Sequence, residues 1–230
     1  MNSLKIAILI RGFHYITKDT SRHHRHRTSP QHFDYREVLF SFIKNIYEPL
    51  LPHLIDLYLT TYHSPIEDSL RFLPNVKLIH FNENDSNQFL TLKNGLQKIS
   101  TDYDLYIITR FDLFHKVPLQ LPTLQEQPTF YPVFKETLQA GNAGGIGDCF
   151  MIFNQNGQKI LLEYFNEIQH SPKNLHLINH HLIKKGICVL PLFEGHFDSN
   201  TSFDSRPDCK NPFYIMWGRP YHHKDIPPKP

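Results

Sequence analysis

One stretch constrains this chain more than any other: Asp104-Leu105-Tyr106-Ile107-Ile108-Thr109-Arg110-Phe111-Asp112-Leu113. Its unbroken apolar run is the pattern of a strand buried on both faces of a parallel sheet. The run stops at Arg110-Phe111-Asp112. Side chains two apart on a strand share a face, so arginine and carboxylate are expected side by side at the strand's carboxyl end. In open α/β sheets, ligands bind at that end. A carboxylate there can hold a divalent metal, and the arginine can contact a phosphate or orient the carboxylate. The plainer reading is a surface ion pair that ends a strand.

The preceding residues alternate strand and helix patterns. Leu4 to Ile10 reads as a buried first strand closed by Arg11-Gly12-Phe13. The glycine lets the backbone approach a ligand, and Arg11 can meet a phosphate; the plainer reading is an ordinary turn. The polar segment 17–32 carries Arg22-His23-His24-Arg25-His26-Arg27, which suits a solvated stretch or a flap over a diphosphate. Asp34 is expected to cap a helix to about Leu51, with Val38, Phe42, Ile46 and Leu50 on its apolar stripe and Pro49 and Pro52 at its end. A second strand, Ile55 to Leu59, runs into Thr60-Thr61-Tyr62-His63. After a short helix to about Leu73 comes a third strand, Val76 to Phe81. A third helix, about Ser86 to Ser100, turns Phe89, Leu92, Leu96 and Ile99 inward and leaves Lys93 and Asn94 on its other faces. This β-α-β-α-β-α-β order predicts a Rossmann-like α/β domain, a mostly parallel central sheet flanked by helices.

Past Asp112 the regularity breaks. Pro118 and Pro122 set a loop, and Phe130 to Phe134 reads as a strand interrupted by Pro132. The glycine-rich stretch 140–147 matches neither a P-loop nor the dinucleotide fingerprint. It leads to Asp148 and a strand, Cys149 to Phe153. An acid between a flexible loop and a buried strand suits proton abstraction in a cleft, although a turn aspartate looks the same in sequence. Two helices follow, about Asn156 to Ile168 and Leu175 to Lys185, then a strand from Ile187 to Phe193. Glu194-Gly195-His196-Phe197-Asp198 opens an irregular C-terminal tail.

Composition narrows the classes. A formal net charge of +2 over 230 residues makes no electrostatic case for nucleic acid or a membrane surface. Sixteen histidines would add positive charge only below about pH 6.5. Cys149, Cys188 and Cys209 are widely spaced and odd in number, which suits a reducing compartment. Residues 1–13 read as a strand rather than a signal peptide, and no apolar run approaches the roughly 18 residues of a membrane helix. A soluble, cytoplasmic protein without an integral membrane segment is expected. Oligomeric state leaves no signature.

Polar groups thus gather at four predicted strand ends: Arg11, Thr60/Thr61, Arg110/Asp112 and Glu194/His196. Cations for phosphate and a carboxylate for a metal suit an enzyme binding a nucleotide diphosphate through a divalent cation. A separate carboxylate would deprotonate the acceptor. Three segments, 5–12, 103–113 and 147–153, resemble nucleotide-diphospho-sugar glycosyltransferases of the GT-A fold, especially bacterial polysaccharide-synthesis and large DNA virus types. The resemblance spans about residues 4–195.

That resemblance implies a single glycosyltransferase domain over 1–230, with a nucleotide-binding half (1–113), an acceptor half (114–200) and an irregular tail (201–230). It implies Mn²⁺ or Mg²⁺ held by Asp112, with His196 as a further ligand, against the diphosphate of a nucleotide-sugar donor. Arg110 stands where the common D-x-D motif has its first aspartate and would partly substitute for the cation. Arg11, Gly12, Thr60, Thr61, Lys93 and Arg110 would bind the donor. Arg110 would also act on the diphosphate in catalysis, and Asp148 would take the acceptor proton. The acceptor would be a hydroxyl of a glycan or glycoprotein. Two alternatives stand beside this: nucleotidyl transfer on a similar sheet, and a non-enzymatic histidine-rich module binding metal or polyanion through 22–27 and 222–223.

Overall fold

The computed structural model describes residues 3–16, 33–83, 86–100, 102–123, 127–133, 135–136, 148–167, 175, 178–192, 196–197 and 213–215. The basic segment 22–27, the glycine-rich stretch 140–147, Cys209 and residues 222–223 lie outside them. β1 (Lys5–Arg11) is followed by the short antiparallel pair β2 (Tyr15–Ile16) and β3 (Phe33–Asp34).

The predicted amphipathic helix forms in three parts: α1 (Arg36–Phe42), a π-helical turn (Ile43–Tyr47) and α2 (Glu48–Leu50). Pro49 explains part of this. It has no N–H to offer the carbonyl of Asn45, one turn earlier. That carbonyl instead accepts the backbone N–H of Leu119 at 2.7 Å, and Glu48 N–H reaches back to Ile43 O. Asp34 belongs to β3 rather than the helix, although its Oδ1 accepts Arg36 N–H at 3.0 Å; Tyr35 is the cap residue.

Next come β4 (Leu54–Thr61), a 3₁₀ helix (Glu67–Phe72), β5 (Val76–Phe81) and α3 (Gln88–Lys98). Asn87 caps α3 by accepting Leu90 N–H at 3.0 Å. β6 (Leu105–Arg110) is the predicted central strand. β7 (Leu113–His115) follows it after a two-residue turn. β8 (Thr129–Pro132) ends at its proline, and β9 (Lys135–Glu136) is short. β10 (Met151–Asn154) leads directly into α4 (Gln155–Glu167), followed by α5 (Ile178–Lys184) and β11 (Cys188–Val189). β12 (His196–Phe197) pairs with β9, and β13 (Phe213–Ile215) with β7.

Seven strands make the main sheet, in the order β11-β8-β10-β6-β1-β4-β5. β1, β4, β5 and β6 are parallel, while β10 runs against both of its neighbours. The architecture is therefore α/β, with a mostly parallel central sheet flanked by helices. Alternation along the strands builds two cores. Ile6, Ile8, Leu57, Leu59, Leu105 and Ile107 face Val38, Phe42, Ile46 and Leu50. Ala7, Leu9, Tyr106, Ile108, Met151 and Phe153 face the stripes of α3, α4 and α5. Gly157 lets α4 sit tightly on the sheet: a Cβ there would stand 2.9 Å from Phe153 Cβ and 3.3 Å from Thr129 O.

The winding fixes where a ligand fits. From β1 the chain steps to β4 and β5 on one side, then crosses back to lay β6 on the other. The switch point falls between β1 and β6, and the crevice outside their carboxyl ends is the binding position of such sheets.

Candidate active site

Arg11 ends β1 and Arg110 ends β6, and the two are register partners. By alternation both lie on the face of Leu9 and Ile108, toward α3 and α4. Two like charges on adjacent strands repel unless each is compensated. Here each has its own acid.

Arg110 grips Asp112 with two parallel hydrogen bonds, Nε to Oδ1 at 2.8 Å and Nη2 to Oδ2 at 2.6 Å. Arg11 Nη2 donates to the backbone carbonyl of Asp148 at 2.7 Å and lies 3.6 Å from its Oδ2. Asp112, Asp148 and Arg11 are all buried, whereas 16% of the Arg110 side chain remains exposed. The four groups sum to zero formal charge. Burial disfavours both cations, but the two arginines respond in opposite directions. For Arg11, burial outweighs the pull of Asp148, and the nearby Arg110 charge lowers its pKa further. For Arg110, the attraction and hydrogen bonding of Asp112 outweigh burial and raise it.

Gly12 follows Arg11 with φ of 98°, in the left-handed region glycine tolerates, and its N–H bonds Thr60 O at 3.0 Å. Among the described residues no atom lies within 4 Å of where a Cβ would stand, so they leave the backbone open there. Thr60 and Thr61 sit inside the floor. The Thr60 hydroxyl donates to Thr91 O of α3 at 3.3 Å, and the Thr61 hydroxyl meets His14 Nδ1 at 2.6 Å on the opposite face. Lys93 stands apart from this group, donating to Phe165 O at the end of α4 at 3.1 Å. His196 is placed through its backbone, paired with Lys135.

His14, which no motif in the sequence marks, also belongs to this region. Its Nε2 lies 2.6 Å from Ser64 Oγ, so the imidazole bridges the segments after β1 and β4. The Arg11↔Thr60 register brings it beside Thr61, a relation no local pattern signals. Phe13 and Tyr62, which follow the same two strands, stack at 4.2 Å between ring centroids.

A divalent cation of the expected kind takes several oxygen ligands. Asp112 gives both oxygens to Arg110, and among the described residues no three His, Cys, Asp or Glu side chains gather to hold an ion. The described residues therefore do not fit a metal site at Asp112.

No protein-family model and no curated protein sequence matches the chain. Among solved structures it is similar to the glycosyltransferase GlyE of Streptococcus pneumoniae TIGR4, in two crystal structures. The apo form gives 10% identity and a TM-score of 0.45 over 82% of this chain and 45% of that one. The second gives 11% identity and a TM-score of 0.48 over 89% and 47%. It is also similar to a Drosophila β-1,4-galactosyltransferase 7 mutant in complex with manganese, UDP-Gal and xylobiose. There the identity is 13% and the TM-score 0.47, over 99% of this chain and 76% of that one. The chain spans less than half the length of the streptococcal enzyme. The fold assignment stands on the strand order and registers above. No helix among the described residues is long and apolar enough to cross a membrane.

Proposed function

We propose that this chain transfers a sugar from a nucleotide-diphosphate donor to a hydroxyl of a glycan or glycoprotein, at the strand ends of β1 and β6. The observation that carries this reading is the Arg11↔Arg110 register pair at the switch point, with Asp112 and Asp148 against it. Donor binding falls to the half formed by 1–113. The open backbone at Gly12 admits a close phosphate, and the Phe13–Tyr62 stack offers an apolar edge for the base. Thr60 and Thr61 act from below by holding the Gly12 turn and His14 in place.

In the transfer, the acceptor oxygen forms its bond to the anomeric carbon as the bond from that carbon to the diphosphate breaks. The electron pair leaves with the diphosphate, where guanidinium charge stabilises it. Asp148, at the head of β10 and within the half 114–200, takes the acceptor proton. The test is release of nucleoside diphosphate from UDP-, GDP-, CMP- and dTDP-sugars (CMP for the third) with a mixed hydroxyl acceptor. Wild-type protein is expected to turn over one donor class. Asp148→Asn is expected to lose about 100-fold or more while still binding that donor. Turnover of none of them, or an Asp148→Asn enzyme of full activity, contradicts the reading.

A further inference from the structure

We propose that Asp112 is a positioning residue for Arg110, and that the Arg110 guanidinium itself meets the donor diphosphate without a divalent cation bound to Asp112. This rests on the donor reading above and gives the strand-end acid a different task.

The geometry carries it in three steps. Both Asp112 oxygens are taken by one guanidinium, and the two bonds, 2.8 and 2.6 Å, are a fork-to-fork pair that fixes the plane of the cation. Those bonds use Nε and Nη2. The remaining nitrogen, Nη1, has no hydrogen bond among the described residues, and the side chain keeps its 16% exposure. Arg110 thus has a pinned face toward the protein and a donor face left over. Lastly, Arg11 is held against Asp148 by its own contacts, so the two guanidiniums at the switch point stand on adjacent strands, each fixed by a different acid. A planar cation held rigidly beforehand supplies positive charge to a leaving diphosphate at little cost in reorganisation.

A metal-ligand Asp112 and a positioning Asp112 predict different binding data. The probes are UDP and GDP, titrated calorimetrically into the whole chain in excess Mn²⁺ and again in EDTA. The expected result is binding of one of them with the same affinity, within about threefold, in both conditions. Arg110→Lys keeps the charge but loses the fork, and is expected to weaken binding by about tenfold or more. Asp112→Asn, which still offers one acceptor, is expected to weaken it less and to leave it indifferent to EDTA. Binding that appears only with Mn²⁺ overturns this inference while leaving the donor reading intact. So does Arg110→Lys binding as wild type does. Binding of neither nucleotide in either condition overturns both. The wild-type titrations need no variant to fold.

Discussion

Arg11 and Arg110 face the same side of adjacent parallel strands as register partners, and each leans on a different acid, Asp148 and Asp112. One pair is local, two residues apart; the other joins positions 137 apart in sequence. The long-range pair ties the head of β10 to the end of β1. It brings the proposed base to the proposed donor site.

Removing the cation from that pair strands an acid in the interior. Arg11→Met is expected to destabilise the fold by about 3–5 kcal/mol, the usual penalty for an uncompensated buried charge. Adding Asp148→Asn should recover part of the loss. Urea unfolding of the two variants checks this, and a loss below about 1 kcal/mol would show that the pair contributes little.

Acid should weaken the fold through two histidines before most carboxylates titrate. Burial lowers the pKa of His14 to about 4, against the opposing pull of Glu67 and Asp34, and burial lowers that of buried His115 to about 3. Both are depressed below the ordinary value near 6.5. Their stabilisation is therefore fully present above about pH 6.5 and is lost as pH falls toward the folded values. For His14 alone the loss by pH 4 is on the order of 3 kcal/mol. Urea midpoints should fall between pH 6.5 and 5, and His14→Gln should flatten that slope. An unchanged slope in the variant would contradict the burial argument.

Gly157→Ala sets helix propensity against packing. Alanine favours a helix by about 1 kcal/mol over glycine, but its methyl would crowd Phe153 Cβ and the Thr129 carbonyl, neither of which can swing aside. A net loss of about 1–2 kcal/mol is expected in thermal unfolding. A higher midpoint would mean that α4 shifts freely on the sheet.

Much of this was legible in the chain itself. The apolar run into Arg110-Phe111-Asp112 is a central strand and its two charged residues meet as expected, but β6 stops at Arg110 and the turn at Phe111-Asp112, rather than a strand's period of two, sets the acid against the guanidinium. The stripe from Val38 to Leu50 is one helical face, since a π turn keeps the apolar residues aligned well enough to bury. β7 pairing with β13, and β9 with β12, left no trace, because strands of two or three residues carry no periodicity and their partners are distant. The antiparallel sense of β10 was equally silent, as an apolar run reads the same in either direction. At the site, Thr60 and Thr61 adjoin in sequence but face opposite sides of β4, so they bond α3 and His14 respectively. Lys93 lies on the polar side of α3 as expected, and only the packing of α3 on α4 sends its ammonium to Phe165 O.

The most direct test of the central claim is the thermal midpoint of the whole chain with UDP-, GDP-, CMP- and dTDP-sugars, for wild type and for Arg110→Gln. A ligand at about 100 times its dissociation constant adds roughly 2.7 kcal/mol, enough to raise the midpoint by several degrees. The account predicts a rise with one nucleotide class and its loss in Arg110→Gln. No rise with any of them in the wild-type protein would contradict a diphosphate site at the ends of β1 and β6.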